Sequence, residues 1–451
     1  MIRVHNTMGR APVDFVTRDE GKVGIYVCGP TVQSDPHVGH GRYAVSFDVI
    51  RRYLAWRGFE VTYVSNITDV EDKIIAAAQE TGEPVESLAA KMGERFSDAF
   101  RQLGVLPPDV EPKATEHVPE MIALITRLID RGLAYERDGD VYFSVRALEG
   151  YGKLSGRRPE ELRSGYRIEV DDRKEDPLDF ALWKAAKPGE PTWDSPWGPG
   201  RPGWHIECSA MATKYLGDGF DIHGGGLDLV FPHHENEVAQ SEGASGDPFA
   251  RYWLHNGMVN LDGEKMSKST GKLVDLHSVL ERHGGRGLRM LYARAHYRSP
   301  IEYSEELLAD AEESLDRLDR FRERTVAGAP DVGALERFRE AMDDDFGTPQ
   351  AVSLMFDLVR EGNRLLDDGQ DASALAGAVE EIVEVLGLDD ASRAPVAPGS
   401  VSDAEITALL DERETARAAR RFDRADEIRD QLAAAGVTIE DGPDGTRWIR
   451  K

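Results

Sequence analysis

The sequence is poor in cysteine, has no long apolar run and is short of basic residues. Cys28 and Cys208 are its only two cysteines, which excludes a disulfide framework and leaves a distant pair better suited to metal binding or catalysis than to one bridge. No apolar stretch reaches the roughly 18 residues that span a bilayer, and the first residues lack a signal-peptide pattern. These absences predict a cytoplasmic protein that does not enter membranes.

Charge is unbalanced, with 82 acidic against 55 basic residues and a net charge of −27. Such acidity favours solubility and argues against a protein that coats nucleic acid non-specifically. It does not exclude a nucleic-acid partner bound through a local basic face. At 451 residues the chain exceeds the size of a single core, so several domains are expected.

The loop formed by residues 28–40 is central to the predicted fold. It follows an apolar run at 24–27 that indicates a buried strand, and it precedes a segment with helical spacing from Ala44 to Leu54. A second β-branched strand (61–68) and further helical stretches follow. This alternation predicts an α/β, Rossmann-like doubly wound parallel sheet, which binds ligands beyond the carboxyl ends of its strands.

Changes in composition divide the chain into five predicted regions. These are a Rossmann-like catalytic domain over 1–106 and 203–250, a connective insertion over 107–202, a clamp-loop region over 251–303, an α-helical bundle over 304–390, and a small C-terminal α+β unit over 401–451 after a Pro/Ser-rich linker. Within the bundle, Thr348 with Pro349 and Ser373 are predicted to cap two helices. Residues 437–449 are expected to form a hairpin that turns at 442–445.

Four side chains have the chemistry of a zinc site. His233 and Glu237 are four residues apart, so on a helix they would project from one face, and with Cys28 and Cys208 they form an acceptable ligand set for Zn²⁺. Taken singly, each residue has a plainer interpretation: a buried inert thiol, a cysteine on a helix face, or a surface histidine. Both interpretations stay open from the residues alone.

His37 and His40 lie at the predicted start of the first helix. There the backbone N–H groups and the helix dipole favour an anion, and two imidazoles would donate hydrogen bonds to a phosphate as charge builds. Gly39 between them leaves room for a flat ring to approach the backbone. An ordinary capping turn with two exposed histidines is the alternative.

Two basic segments stand out in this acidic chain. Lys265-Met266-Ser267-Lys268-Ser269 lies between glycines and suits a mobile phosphate clamp, although a solvated basic turn is the commoner case. Arg413, Arg417, Arg420 and Arg421 form a stripe suited to a phosphate backbone or to salt bridges with neighbouring acids. The sequence has no P-loop motif.

These motifs together resemble the class I aminoacyl-tRNA synthetases. His37-Val38-Gly39-His40 is similar to the first signature of that class, with Val in place of the usual Ile, and residues 265–269 match the second signature in full. The remaining similarities point to the cysteinyl-tRNA synthetase family and cover essentially the whole chain: residues 26–32, 66–69, 203–209, 223–226, 231–237 and 440–443 with Trp448.

The resemblance implies ATP-dependent activation of L-cysteine to cysteinyl-adenylate and its transfer to the 3′ end of tRNA(Cys). It implies that Cys28, Cys208, His233 and Glu237 bind one Zn²⁺ that takes the substrate thiolate, with Mg²⁺ accompanying ATP. The remaining implied roles are adenylation by His37 and His40, with Lys265 and Lys268 on the clamp loop; an ATP site that includes Gly39 and Asp228; and an amino-acid pocket lined by Thr68 and Trp204. A monomer is the family expectation.

Two other functions remain open at this point. One is a cysteine ligase of thiol-cofactor biosynthesis, which joins activated cysteine to an amino-sugar and tends to lack the anticodon-reading end. The other is a zinc-dependent binding protein without catalysis, against which the intact signatures argue.

Overall fold

The structure is a computed structural model that describes residues 1–158, 173–261 and 273–389, the backbone of 264–265, and scattered helical positions and two strands within 409–450. It divides into two compact units, residues 1–388 and 389–451. The helices of the first unit are α1 Val38–Trp56, α2 Asp72–Thr81, α3 Val85–Gln102, α4 Val118–Asp130, α5 Trp204–Leu216, α6 Glu235–Ser245, α7 Leu276–Ala293, α8 Glu305–Arg324, α9 Val332–Asp343, α10 Thr348–Asp367 and α11 Ser373–Leu386. Its strands are β1 Arg3–Asn6, β2 Ala11–Asp14, β3 Lys22–Val27, β4 Glu60–Ser65, β5 Ala134–Arg137, β6 Asp140–Phe143, β7 Phe180–Ala185, β8 Gly200–Pro202, β9 Phe220–Gly226, β10 Ala250–Asn256, β11 Val259–Leu261, β12 Glu264–Lys265 and β13 Ile301–Glu302.

A four-stranded parallel sheet forms the centre of this unit. Its strand order is β10-β9-β3-β4, and every pair in it is parallel. The apolar residues of β3, such as Ile25 and Val27, are fully buried, as a parallel strand covered on both faces requires. Helix α1 packs so closely that a Cβ at Gly224 would lie 2.3 Å from the Phe47 ring. The predicted Rossmann-like sheet is confirmed.

A second sheet follows in the chain between β4 and the return to the parallel sheet. It is antiparallel, with the order β5-β6-β7-β8. Arg201 of β8 is almost fully buried and forms salt bridges with Glu190 (2.8 Å) and with Asp72 at the start of α2. Lys184 of β7 also pairs with Asp72. These ion pairs fix the first turn of α2 against the antiparallel sheet.

The helical end of the first unit has a buried apolar stripe on α8 and corrects two predicted caps. Leu308, Leu315 and their neighbours on α8 are buried. Thr348 was predicted to be an N-cap but is the first residue of α10, and Gly347 occupies the cap position with Pro349 in the first turn. Ser373 is likewise the first residue of α11, because the Asp371 carboxylate accepts its backbone N–H (2.9 Å) and shifts the cap to Ala372.

The second unit contains the predicted hairpin. Its strands, β14 Val437–Gly442 and β15 Gly445–Arg450, are antiparallel and pair Gly442 with Gly445. Arg413 is buried, whereas Arg417 and Arg421 are exposed, so these three arginines do not all lie on one solvent face. Arg420 and the predicted linker lie outside the described residues. Among the helices that the structure describes, none is long and apolar enough to cross a membrane.

The cap of α8 offers a test of this part of the fold. The Ser304 hydroxyl accepts the backbone N–H of Leu307 (3.2 Å), so Ser304→Ala should lower the free energy of unfolding by about 1 kcal/mol. Ser373→Ala is the matched control and should cost less than about 0.5 kcal/mol, because Ser373 is not the cap of its helix. Urea denaturation of both variants measures the difference, and equal losses would contradict the assignment of the two caps.

Candidate active site

The loop after β3 begins at the carboxyl edge of the parallel sheet. The backbone N–H of Gly29 donates to Asn66 Oδ1 (3.0 Å). A Cβ at Gly29 would lie 1.6 Å from the Asn66 carbonyl oxygen, so only glycine permits this approach of the two chain segments. The contact fixes the position of the neighbouring Cys28.

Cys28, Cys208, His233 and Glu237 meet although they are distant in sequence. One potential ligand atom from each lies within 4.8 Å of all the others, and all four residues are buried. The two Sγ atoms are 3.5 Å apart as free thiols. Cys28 Sγ is 3.3 Å and His233 Nε2 is 3.2 Å from Glu237 Oε1. The structure therefore brings the four predicted ligands together into a possible metal site.

His233 and Glu237 lie on two consecutive helical segments of different type. His233 is the fourth residue of a five-residue π-helical turn, Val230–His234, and Glu237 lies in the first turn of α6. The two side chains still face each other across four residues, as predicted. Glu235 points elsewhere and accepts the backbone N–H groups of Gly152 (3.0 Å) and Ser155 (2.7 Å).

Further histidines surround the four residues. His223 Nε2 is 2.8 Å from Glu237 Oε2, and His205 Nδ1 is 2.9 Å from His233 Nδ1. Cys28, His223, His234 and Glu237 form a second group whose ligand atoms also lie within 4.8 Å of one another. Because His223 holds Oε2 while Oε1 faces Cys28 and His233, the first group has the arrangement of a metal site with an outer-shell histidine.

The surroundings of the cluster select its protonation states. Burial, followed by the neighbouring Cys208 and Glu237, raises the pKa of the Cys28 thiol well above its usual value. Burial lowers the pKa of His233 well below its usual value, so its imidazole is neutral. Two buried thiols, a neutral imidazole and the Glu237 side chain are a donor set that fits a divalent metal of zinc type.

His37 and His40 form one stacked pair at the start of α1. Their ring centroids are 3.7 Å apart, and the backbone N–H of His37 donates to Nδ1 of His40 (3.1 Å). Since Nδ1 accepts this bond, the neutral His40 ring carries its hydrogen on Nε2. His40 is therefore set up as a hydrogen-bond donor through Nε2.

A cleft of about 270 Å³ joins these groups. The predicted residues that line it are Cys28, His37, Gly39, His40, Trp204 and Asp228. The Trp204 ring packs on His233 with a centroid distance of 4.2 Å. Thr68 does not line the cleft; it is buried behind it and donates from Oγ1 to Glu207 Oε2 (3.1 Å).

The predicted clamp loop is described only at its start. Lys265 belongs to the two-residue strand β12, whose backbone pairs with Asn260 of β11. Lys268 and the rest of the signature lie outside the described residues. Their roles stay predictions.

Comparison with known protein families divides the chain into three parts. Residues 14–313 match the model of the tRNA synthetases class I (C) catalytic domain. Residues 337–389 match the DALR domain, and residues 402–448 match the cysteinyl-tRNA ligase anticodon binding domain.

Curated relatives are similar over their full length. A cysteine–tRNA ligase of Halorhodospira halophila is 52% identical over 458 residues, with 100% of each chain covered. One of Chromohalobacter salexigens is 50% identical over 457 residues, with 99% of each covered.

Solved structures confirm the fold. Methionyl-tRNA synthetase of Mycobacterium tuberculosis with methionyl-adenylate has a TM-score of 0.58 at 16% identity, covering 81% of this chain and 90% of its own. A putative arginyl-tRNA synthetase of Campylobacter jejuni has a TM-score of 0.57 at 13% identity, covering 83% and 94%.

Proposed function

Because the chain belongs to the cysteinyl-tRNA synthetase family and is a cysteine–tRNA ligase, we propose that Cys28, Cys208, His233 and Glu237 form its zinc site. The observation that carries this proposal is the meeting of these four ligand atoms within 4.8 Å beside a cleft that is also lined by His37 and His40. Amino-acid recognition and nucleotide chemistry thus share one cleft.

The metal would provide selectivity. When bound, zinc would take the substrate's sulfur as a thiolate, a soft ligand that it prefers over the hydroxyl of serine. The protein fixes the orientation of the ligand side chains before the metal binds. His223 fixes the Glu237 carboxylate through Oε2 (2.8 Å), and His205 pairs with the outer nitrogen of His233 (2.9 Å), so that neither side chain has to reorient.

In the first step the carboxylate of L-cysteine attacks the α-phosphate of ATP, giving cysteinyl-adenylate and pyrophosphate. The protein contributes positioning and stabilisation of the developing charge. His40, with its hydrogen on Nε2, and His37 beside it at the positive end of α1 would donate to the phosphate oxygens. Mg²⁺ would accompany the triphosphate, and Lys265 and Lys268 would close over it.

Four other residues in or near the cleft would bind the substrates. Gly39 leaves space for the adenine or ribose ring against the start of α1. Asp228 at the cleft edge would accept from the ribose hydroxyls, and Trp204 would form a wall of the amino-acid pocket. Thr68 would act from behind the cleft, where Glu207 and Asn66 hold its hydroxyl.

In the second step a ribose hydroxyl at the 3′ end of tRNA(Cys) takes the cysteinyl group and releases AMP. The helical region 304–390 and the unit 401–451 would bind this tRNA. The match of residues 402–448 to an anticodon binding domain favours tRNA over the amino-sugar acceptor of the related ligases. We further propose that the protein is monomeric and cytoplasmic, with the insertion 107–202 and the clamp-loop region 251–303 completing the catalytic domain.

Charging of purified tRNA tests this function. The protein should attach radiolabelled cysteine to tRNA(Cys) in an ATP-dependent reaction and should not attach serine at a comparable rate. An amino-sugar acceptor serves as the control substrate and should take no cysteine. Activation of cysteine without charging of tRNA would contradict the proposed acceptor, and failure to activate cysteine would contradict the function as a whole.

A further inference from the structure

We propose that Lys73 is a further substrate-binding residue, whose ammonium group receives the carboxylate of the bound cysteine. Lys73 is the second residue of α2. In the structure it lines the cleft together with Cys28, His37 and Trp204. This inference rests on the proposed function of the cleft.

Lys73 is the only lysine or arginine among the described residues that line this cleft. Its Nζ lies 5.5 Å from the centroid of the Trp204 ring. Within the described parts of the chain it forms no salt bridge, although the protein carries 82 acidic residues against 55 basic ones. By contrast, Lys184 and Arg201 nearby are both paired with Asp72. A lysine ammonium that has no carboxylate partner among the described residues, in a substrate cleft of so acidic a protein, indicates an anionic ligand.

The two residues that precede Lys73 hold its backbone in place. Glu71 caps the helix by accepting the N–H of Lys73 (2.6 Å). Asp72 is anchored to the antiparallel sheet by Lys184 and Arg201, and burial of Arg201 keeps that anchor rigid. The side chains of consecutive helical residues point in directions about 100° apart. Because the Asp72 side chain points to the antiparallel sheet, the Lys73 side chain points to the cleft. The long side chain is exposed and keeps its freedom.

The distances in the cleft allow the carboxylate of the amino acid to be this anion. Trp204 is in contact with His233, at 4.2 Å between ring centroids, and with Lys73, so the two separations place Nζ no farther than about 10 Å from the His233 ring. A cysteine extends about 4 Å from its sulfur to its carboxylate, and a charge-assisted hydrogen bond adds about 2.8 Å. A cysteine whose thiol lies at the Cys28 cluster can therefore present its carboxylate to Lys73 across the Trp204 face.

Lys73→Met tests the proposal by direct binding. Calorimetry of the zinc-containing protein without ATP should show the Kd for L-cysteine rising about 10-fold, as expected for loss of one charge-assisted hydrogen bond. The Kd for cysteamine, which has the thiol and the amine but no carboxylate, should change less than about 2-fold. Lys73→Arg should recover part of the affinity for cysteine. Lys91→Met, an exposed lysine on α3 paired with Glu83, is the matched control and should behave as wild type.

Each contrary result has its own meaning. If cysteine and cysteamine weaken equally, Lys73 only supports Trp204, and the proposal fails. It also fails if cysteine binding is unchanged, or if the KM for ATP in pyrophosphate exchange rises about 10-fold while the Kd for cysteine stays constant, since the partner is then a phosphate. If wild-type protein neither binds nor activates cysteine, the proposed function itself has failed, and this result is distinct from any effect of Lys73.

Discussion

Cys208→Ala should remove zinc from the protein and with it the preference for cysteine over serine. Cys208 Sγ is buried and lies 3.5 Å from Cys28 Sγ, so the substitution removes one of the two thiol ligands of the proposed site. Loss of a direct ligand should cost more than the roughly 10–100-fold in metal affinity that loss of an outer-shell partner costs. Zinc measured by atomic absorption after dialysis should fall from about one per chain to near zero.

Kinetics should change in a matching way. Pyrophosphate exchange with cysteine should fall by about 100-fold or more, while any residual exchange should no longer favour cysteine over serine. A general loss of structure is excluded by an unchanged far-ultraviolet circular dichroism spectrum.

The second group of ligands supplies the control. His234 belongs to that group but not to the first, and its Nδ1 is 2.8 Å from His255 Nε2. His234→Gln keeps hydrogen-bonding capacity and should retain stoichiometric zinc. Loss of zinc from His234→Gln together with retention in Cys208→Ala would assign the metal to Cys28, His223, His234 and Glu237, and would overturn the proposed ligand set.

The parts of the site that sequence could predict are those whose spacing or chemistry is local. An apolar run followed by a loop and a helical period sufficed for the first unit of the parallel sheet and for the position of His37 and His40, because each element follows from its own residues. The meeting of Cys28 with Cys208 across 180 positions was not local; it was expected from ligand chemistry and family resemblance.

The structure added residues whose roles depend on tertiary contacts. His223 lies within β9, but only the fold aims its imidazole at Glu237. Lys73 resembled any basic residue in a first helical turn, and the direction of its side chain is set by ion pairs from β7 and β8 to Asp72. The missed caps at Gly347 and Ala372 have a local cause, since Ser and Thr also occur inside first turns when another residue satisfies the free N–H groups.

An acidic protein can bind the polyanion tRNA here because the residues that line the cleft do not share the excess of negative charge of the whole chain. Lining residues include Lys73 and the imidazoles of His37 and His40 against Asp228, so an anionic substrate does not meet a wall of net negative charge. Across the described surface most arginines are paired with carboxylates, such as Arg286 with Asp319 and Arg322 with Glu380. We therefore expect few contacts between arginines and tRNA phosphates and a correspondingly shallow salt dependence of the affinity for tRNA.

His40→Ala should reduce cysteine-dependent pyrophosphate exchange by about 10²–10³-fold, the loss typical of one donor to a developing negative charge. The effect should fall on kcat more than on the KM for ATP, because the hydrogen bond strengthens as charge moves onto the phosphate. His40 is suited to this because the backbone N–H of His37 occupies its Nδ1 (3.1 Å) and thereby fixes the donor hydrogen on Nε2.

Two variants make the result specific. His283→Ala removes an imidazole that is paired with Glu305 (2.8 Å) and Glu312 (3.1 Å) on α8, outside the cleft, and exchange should stay within about 2-fold of wild type. His40→Asn keeps a short side-chain donor and should recover part of the lost rate. Zinc content should be unaffected in all three variants, since His40 is not among the residues of either metal group. Exchange near the wild-type rate in His40→Ala would remove this histidine from the chemistry and leave transition-state stabilisation to His37 and the lysines.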